Sequence, residues 1–420
     1  MGPSVTSSGR DRLLTPGVSG PSACHRGSGH ARRRARGDVR WVVGGRRLSA
    51  VWRWALVVVV LCVLGSLPAV LAARPAADAG TSAAALRERA LASLTVAHSG
   101  YAESSGGLLL PAFTGLPALA RPLADVADLL SDRTTMRVWW RAPDDNRVDV
   151  VTAGGETDVH RDPAGTWTWD YLAQTATRTA TGPVALPTAP DLEPGALGRR
   201  LLSEVTAPEL FRIGSRLVAG RDALGVRVRP GDPAASVGQV DVWVDRVSGL
   251  PLAVEITGRG LTQPSLTARY LDLDLGRPAS AVTGYDPPAG VLVRAGSADP
   301  FGPAAALLRR VRMPAELAGL PRRPAPPSGA STGGVVLYGR GVTLLAVVPV
   351  PRGLSGGFST LLGKLTGQVT DELGTRAVAG PLGLMLVDGP RGADYLVAGT
   401  VTLDALTTAA TQLRTAGRAP

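Results

Sequence analysis

The sequence has few of the side chains on which catalysis and metal binding most often depend. Its 420 residues include two cysteines and four histidines, and the last histidine is His160. Both cysteines, Cys24 and Cys62, precede residue 74. The long remainder of the chain therefore has no disulfide framework and no thiolate metal site.

Acidic residues are scarce only near the N-terminus. The chain carries 45 basic and 34 acidic residues, a formal net charge of +11. Residues 1–53 hold eleven arginines and two aspartates, so the rest of the chain is almost neutral. A nucleic-acid-binding domain would carry its basic patch on the folded part, so we expect no nucleic-acid partner. We predict a basic, disordered cytoplasmic tail at 1–53, with binding of its arginine cluster at 32–36 to nucleic acid or anionic lipid as the alternative.

One long uncharged run, 54–73, lies between Arg53 and Arg74. Twenty helical residues span about 30 Å, which is the thickness of the hydrocarbon core of a bilayer. Because arginines precede the run, the N-terminus is expected in the cytoplasm and the body outside it. We predict one transmembrane helix at 54–73 that anchors the chain in the cell membrane. The small residues at 65–73 leave open a cleaved signal segment, which would release the body as a secreted protein.

The body alternates between helical and extended patterns. Helix formers occupy 81–97, and from residue 134 onward the apolar side chains repeat with a period of two. Short loops between regular strands predict a large antiparallel meander, curved into an open or closed barrel and covered by a helix at 192–205, as a domain over 84–290. The predicted strands include 134–141, 147–152, 157–161, 166–171, 211–219, 223–229, 238–245, 250–257 and 265–275.

A proline-rich stretch at 321–334 predicts an exposed linker before a second domain. This smaller α+β domain is expected over 310–417, with helices at 358–373 and 403–413. The predicted fold class is therefore α+β, with a large antiparallel barrel, covering helices and a small C-terminal α+β domain, preceded by one transmembrane helix.

Motifs that would indicate catalysis are incomplete. The serine of the G-x-S-x-G motif at 353–357 needs a later histidine, and none follows. The glycine-rich segment 357–365 lacks the serine or threonine that binds Mg²⁺ in a phosphate loop. The tail offers only three zinc ligands at 24–30, and Asp272 with Asp274 has no histidine nearby. We predict no enzyme, no cofactor and no metal site.

The apolar face of the meander is the predicted binding site. Alternation along 134–141 and its partner strand places five side chains on one face, and the opposite face carries charged residues such as Arg147 and Asp149 that prefer water. A cavity lined by this face would suit an acyl chain, although a filled core is the alternative. With two further tryptophans, the predicted lining residues are Met136, Val138, Trp140, Val148, Val150, Trp167 and Trp169.

Several segments carry a resemblance to a known family. The helix at 84–97 leads into HSGY, and the most specific segment is VWVDR at 242–246 with SGLPL at 248–252. With RVWW at 137–140, ETDV at 156–159, TWTWD at 166–170, YGRG at 338–341 and YLVAG at 395–399, the chain resembles LolA-like and RseB/MucB-like periplasmic proteins over roughly 84–415.

This resemblance implies a half-open antiparallel barrel closed by helices, without catalysis. LolA-like members carry the acyl chains of lipoproteins, whereas RseB-like members bind the extracytoplasmic part of an anti-sigma factor and sense lipids. The two-domain layout favours a membrane-anchored RseB-like regulator, and a LolA-like carrier of lipid or lipoprotein is the alternative.

Overall fold

The computed structural model of the chain falls into two compact units, Met1–Leu64 and Gly65–Pro420. It describes residues 52, 54–62, 80–108, 110, 121–152, 155–180, 186–297, 313–324, 334–365, 367–389 and 393–416.

The first unit bears on the predicted membrane anchor. Residues 54–62 are helical and their side chains are exposed. Across the described parts of the chain, every helix is too short or too polar to span a bilayer. Residues 63–73 of the predicted span and almost all of the predicted tail lie outside the described residues, so both features stay predictions.

The second unit is built on a large, mostly antiparallel sheet. Its twelve described strands follow the order β12-β6-β5-β4-β3-β2-β1-β11-β10-β9-β8-β7. Only β12 pairs in parallel, with β6. The strands are β1 His98–Gly106, β2 Arg133–Ala142, β3 Asp145–Thr152, β4 Gly155–Asp162, β5 Gly165–Asp170, β6 Thr175–Thr179, β7 Leu210–Val218, β8 Arg221–Val228, β9 Val237–Asp245, β10 Pro251–Gly258, β11 Leu266–Asp274 and β12 Leu292–Ala295.

This architecture confirms the mixed α+β class and the large antiparallel sheet. The sheet is open, because β12 and β7 are its two edge strands. A closed barrel, which the strand pattern also allowed, is therefore wrong for the described strands. Curvature into a half-open barrel stays an expectation from the resemblance.

Two of the helices cover one face of the large sheet. The helices before β12 are α1 Ala83–Ala92, α2 Arg121–Ser131, α3 Pro194–Ser203 and α4 Ser280–Thr283. Leu86 of α1 and Leu202 of α3 are fully buried, in the same apolar cluster as the valines of β8 and β9. We call this side of the sheet the covered face and the opposite side the outer face. Gly198 brings α3 close to β10, since a Cβ there would lie 2.6 Å from Pro251 Cβ.

The start of α3 has a local cause in the sequence. Pro194 occupies the first helical turn, where its missing N–H removes no hydrogen bond. The Glu193 side chain caps the helix by accepting from Gly195 N at 2.6 Å and Ala196 N at 2.5 Å. A carboxylate at this end also favours the positive pole of the helix dipole.

A second sheet follows the large one, after the short hairpin β13 Glu316–Leu317 and β14 Leu320–Pro321. Its six described strands have the order β15-β16-β20-β19-β18-β17. Helices α5 Arg352–Leu362 and α6 Leu403–Ala416 pack on its opposite faces. The strands are β15 Val336–Arg340, β16 Thr343–Pro351, β17 Val369–Asp371, β18 Gly374–Ala379, β19 Leu382–Val387 and β20 Ala393–Gly399.

One helix of this sheet departs from the sequence prediction. The helix predicted at 358–373 begins at Arg352 and ends at Leu362, and Val369–Asp371 is a strand. Ser355 of the G-x-S-x-G motif lies inside α5, where its Oγ donates to the Pro351 carbonyl at 3.4 Å. The motif therefore does not form the strand-to-helix turn that exposes a catalytic serine.

Candidate binding site

Five of the predicted lining residues do share one face. The register pairs Met136 with Val150 and Val138 with Val148, and Trp140 follows on the same side of β2. This is the covered face. Met136 and Val138 are 0% exposed, because other apolar side chains of the protein pack against them.

Trp140 shows how completely the covered face is packed. Its Nε1–H donates to the Leu94 carbonyl at 3.1 Å. The ring stacks on His98, with centroids 6.1 Å apart, and the Arg199 guanidinium lies 5.0 Å from the ring centroid. The indole is thus held by contacts on several sides, which is the arrangement of a core residue rather than of a cavity wall.

A buried polar network fastens α3 to the sheet. Tyr270 on β11 donates its hydroxyl hydrogen to Glu193, and the same oxygen lies 2.8 Å from His98 Nε2. Because His98 Nδ1 lies 2.9 Å from the Val96 carbonyl, Nδ1 carries the hydrogen of the neutral ring and Nε2 needs a donor. The Tyr270 hydroxyl has only one hydrogen, so it cannot donate to both His98 Nε2 and the Glu193 carboxylate at the same time.

Burial governs the titration of this network. It raises the pKa of Tyr270 well above its usual value, and the negative charge of Glu193 acts in the same direction. Burial also lowers the pKa of His98, although the charge of Glu193 opposes it. The network therefore works as a polar clamp between α3, β1 and β11, inside the covered face.

The other two predicted lining residues are on the opposite face of the sheet from Trp140. Trp167 pairs with His160 and Trp169 pairs with Asp158, which places both indoles on the outer face. They cannot line one cavity with Trp140. The apolar cluster under α1 and α3 includes residues of β1 to β3 and β7 to β11, whereas Trp167 of β5 packs against Tyr285 on the outer face.

That other segment includes α4. The Tyr285 ring lies 4.8 Å from the ring of His160 and 5.5 Å from that of Trp167, measured between centroids. His160 Nδ1 is 2.9 Å from the Thr283 carbonyl. Burial lowers the pKa of His160. The buried side of the sheet thus changes from the covered face at β2 to the outer face at β4 and β5.

Two carboxylates are buried side by side on the outer face. Asp149 and Asp158 are directly paired across β3 and β4, and they are 1% and 2% exposed. The expectation that Asp149 faces water is therefore wrong. Arg147 reaches both, at 2.5 and 2.9 Å from the oxygens of Asp149 and 2.8 Å from Asp158 Oδ2, and its guanidinium lies over the ring of Trp139.

The single positive charge of Arg147 does not balance the two carboxylates, Asp149 and Asp158. Asp158 Oδ2 also accepts from the Tyr171 hydroxyl at 3.2 Å, but its Oδ1 has no hydrogen-bond partner. Burial and the charge of Asp149 raise the pKa of Asp158 to about 6. Glu156 completes a set of three carboxylates whose oxygens lie within 4.8 Å. Such a set can ligate a cation, but the guanidinium of Arg147 already occupies both oxygens of Asp149.

Charged pairs also join the two sheets. Arg340 at the end of β15 binds both oxygens of Glu209 at 3.1 Å, and Arg323 binds both oxygens of Glu204 at 2.9 and 2.6 Å. Burial alone would raise the pKa of Glu209, but hydrogen bonds from Arg340 and Thr206 outweigh it and lower the pKa to about 2. Glu204, Glu209 and Arg340 line a small open cavity of about 20 Å³ at the junction.

Backbone hydrogen bonds reinforce this junction. Thr402 N donates to the Ala234 carbonyl at 2.8 Å, and Ser236 N donates to the Thr400 carbonyl at 3.2 Å. Arg323, within the predicted linker 321–334, is held to Glu204 at the end of α3, while residues 325–333 lie outside the described residues. The predicted domain boundaries remain predictions.

The sequence offered a signal for only part of this junction. Thr206 and Glu209 have the spacing of a capping box, which locates Glu209 at a helical turn. Nothing in the sequence pairs Glu209 with an arginine that follows it by more than a hundred residues.

Comparisons with known proteins find similar chains among solved structures. No protein-family model matches the chain, and no curated protein matches it. Among solved structures, MucB in complex with MucA(peri) is 18% identical with a TM-score of 0.45, and the match covers 78% of this chain and 97% of that one. The MucA/MucB complex of Pseudomonas aeruginosa is 18% identical with a TM-score of 0.43, and the match covers 78% of this chain and 96% of that one.

A LolA-superfamily protein from Nitrosomonas europaea is 10% identical with a TM-score of 0.24, over 49% of this chain and 99% of that one. These neighbours are of the two kinds that the sequence segments resemble. No ligand or partner of this chain follows from these similarities.

Proposed function

We propose that this chain is a non-enzymatic, extracytoplasmic regulatory protein that binds the extracytoplasmic part of an anti-sigma factor, and that residues 54–73 anchor it in the membrane. The observation that carries the choice is the filled covered face. With Met136, Val138 and Trp140 buried in a packed core, the surfaces left for a partner are outside the core, and a folded protein segment suits them better than an acyl chain.

The organisation of the charged residues supports a binding role. His98, His160 and Glu209 all hold secondary-structure elements together in the described body. Asp149 and Asp158 share Arg147 within one sheet. The charged pairs at the junction fasten the two sheets into one surface, as a regulatory scaffold requires.

A carrier of acyl lipid or lipoprotein is the second candidate, because the covered face is strongly apolar. For this function α1 or α3 would have to leave the sheet. The clamp formed by Glu193, Tyr270 and His98 would then have to break, which exposes buried polar groups at a cost of about 1–3 kcal/mol for each group left unpaired.

The two candidates are separated by measuring both kinds of binding on the full chain in detergent micelles. Extracytoplasmic segments of anti-sigma factors from the same genome are presented on a biosensor, and a fluorescent fatty-acyl probe is titrated in parallel. We expect saturable binding of one segment and no saturable binding of the probe. Probe binding with no segment bound would favour the carrier, and binding of neither would contradict both.

A matched pair of variants makes the measurement sharper. Val138→Thr is nearly isosteric with the wild type and places a hydroxyl in the covered face, whereas Thr168→Val removes a hydroxyl from the same side of β5. A carrier should lose probe affinity in the first variant only. A regulator that binds through its outer surfaces should keep its affinity for the protein segment in both.

A further inference from the structure

The turn between β5 and β6 presents large apolar side chains to solvent. Leu172 is 81% exposed and Tyr171 is 46% exposed. At the start of β12, Leu292 and Val293 are 51% and 53% exposed, and Leu292 pairs with Thr175, the first residue after the turn. The four side chains therefore share one corner of the large sheet, which we call the apolar corner.

The turn that carries this corner is held in place. Ala173 N donates to Asp170 Oδ1 at 2.8 Å, and Gln174 Nε2 donates to the Tyr171 carbonyl at 2.7 Å. The Tyr171 ring also packs against Trp169, with centroids 5.6 Å apart. Leu172 is thus presented outward by a hydrogen-bonded turn, and a grouped apolar surface of this kind is typical of an interaction site.

The short segment between the predicted membrane span and the described body indicates which surface lies near the apolar corner. The predicted span ends at residue 73, and the described body begins at Gly80. Residues 74–79 reach at most about 20 Å when fully extended. A body anchored by 54–73 therefore starts next to the bilayer surface.

The start of α1 and the apolar corner lie toward the same end of the large sheet. Arg89 lies against Gly249 in the β9–β10 turn, whereas Arg87 donates to the Ser203 carbonyl at 2.8 Å, next to the junction residue Glu204. Helix α1 therefore begins toward the junction end, where β8 ends. Because the strands from β8 to β5 alternate in direction, β5 also ends there, and the turn with Leu172 follows it.

We propose that the apolar corner inserts into the interfacial region of the bilayer that anchors the chain, so that its occupant is a lipid surface. This proposal rests on the membrane anchoring in the proposed function. Tyrosine and leucine at a turn suit the boundary between head groups and acyl chains. Arg133 begins β2 at the same end of the sheet, and its side chain, although paired with Glu103, is 67% exposed and could approach anionic head groups.

The test uses the full chain with Cys24→Ser and Cys62→Ser, reconstituted in vesicles of phosphatidylcholine and phosphatidylglycerol. A single new cysteine, Leu172→Cys, carries an environment-sensitive NBD label, and lipids with a doxyl quencher near the head group report contact. The matched control is Val247→Cys, which is 71% exposed in the wild type but lies in the β9–β10 turn at the other end of the sheet.

We expect a blue-shifted emission at position 172 and about twofold or greater quenching relative to position 247. Equal quenching at the two positions, in protein that floats with the vesicles, would overturn the docking and leave the anchor intact. Protein that does not float would overturn the anchor and the docking together. Label self-quenching that grows with protein density, without quenching by lipid, would show a second copy at this corner and also overturn the proposal.

Discussion

The two faces of the large sheet bury their side chains in different ways. On the covered face, Met136, Val138 and their neighbours are packed under helices, with the polar clamp at Glu193 among them. On the outer face, Asp149 and Asp158 are just as deeply buried, but they lie under Arg147 and aromatic rings. The comparison teaches that stability depends on packing volume on the first face and on charge balance, and hence on pH, on the second.

Adjacent tryptophans on β2 offer the largest contrast between the faces. Trp140→Ala should lower the free energy of unfolding by about 3–5 kcal/mol, because it opens a cavity in the covered face and leaves the Leu94 carbonyl without its donor. Trp139→Ala on the outer face removes a half-buried ring beneath Arg147 and should cost only about 1–2 kcal/mol. Denaturant unfolding of the full chain in micelles measures both. Equal losses would mean that the two faces are packed alike.

The second prediction concerns the close approach of α3 to the sheet at Gly198, where alanine should lower stability although it normally favours a helix. Gly198→Ala should destabilise by about 1–3 kcal/mol, since the new methyl would meet Pro251, although alanine normally favours a helix. The control is Gly356→Ala in α5, where a Cβ has nothing within 4 Å. That change should stabilise by about 0.5–1 kcal/mol. Stabilisation by both substitutions would show that α3 is free to move away from the sheet.

The carboxylate pair makes the outer face sensitive to pH. The pKa of Asp158 is raised from 3.8 to about 6, so its contribution to stability is present below pH 4 and is lost as the pH rises to about 6. Asp158→Asn should therefore raise the free energy of unfolding above pH 6, by about 1–2 kcal/mol, and change it little near pH 4.

The two buried histidines change stability with pH in the direction opposite to Asp158, so the experiment must separate their contribution from that of Asp158. Burial lowers the pKa values of His98 and His160, so their contributions fall as the pH drops below about 6.5. Because both histidines are present in the wild type and in Asp158→Asn, the difference between the two pH profiles isolates Asp158. A difference that does not change between pH 4 and 8 would contradict the raised pKa.

The smallest effect is expected at an exposed ion pair of the outer face. Arg137 and Glu156 are 3.5 Å apart, with side chains 48% and 31% exposed. Arg137→Ala should change the free energy of unfolding by less than about 0.5 kcal/mol, because water and salt screen such a pair. A loss above 1 kcal/mol that disappears at high salt would show that this arginine also helps to neutralise the buried carboxylates.

Regular strands were the most predictable part of the fold. The five strands predicted between 211 and 275 agree with β7 to β11 within two residues, because their apolar side chains alternate and turn residues separate them. Strands β6 and β12 were missed. The first consists mostly of threonine and alanine without an apolar alternation, and the second pairs in parallel through a long connection that no local pattern reveals.

For the candidate site, the sequence alone correctly predicted which side chains of the β2–β3 hairpin share a face. Met136, Val138 and Trp140 share a face with Val148 and Val150 because side chains on paired strands alternate in phase. Trp167 and Trp169 also share a face with each other, as their spacing requires. Their position opposite Trp140 was missed, since alternation does not show which side of each hairpin will be covered.

The sequence by itself thus determined where strands run and which side chains lie together on a strand, because these follow from the backbone geometry of consecutive residues. Tertiary structure alone decided which face is buried at each strand, through the places where α1, α3 and the segment around Tyr285 pack. It also decided that Asp149 and Asp158 share Arg147 and that Glu209 meets Arg340. Burial and charge balance depend on neighbours distant in sequence, whereas alternation depends only on the next residue along the chain.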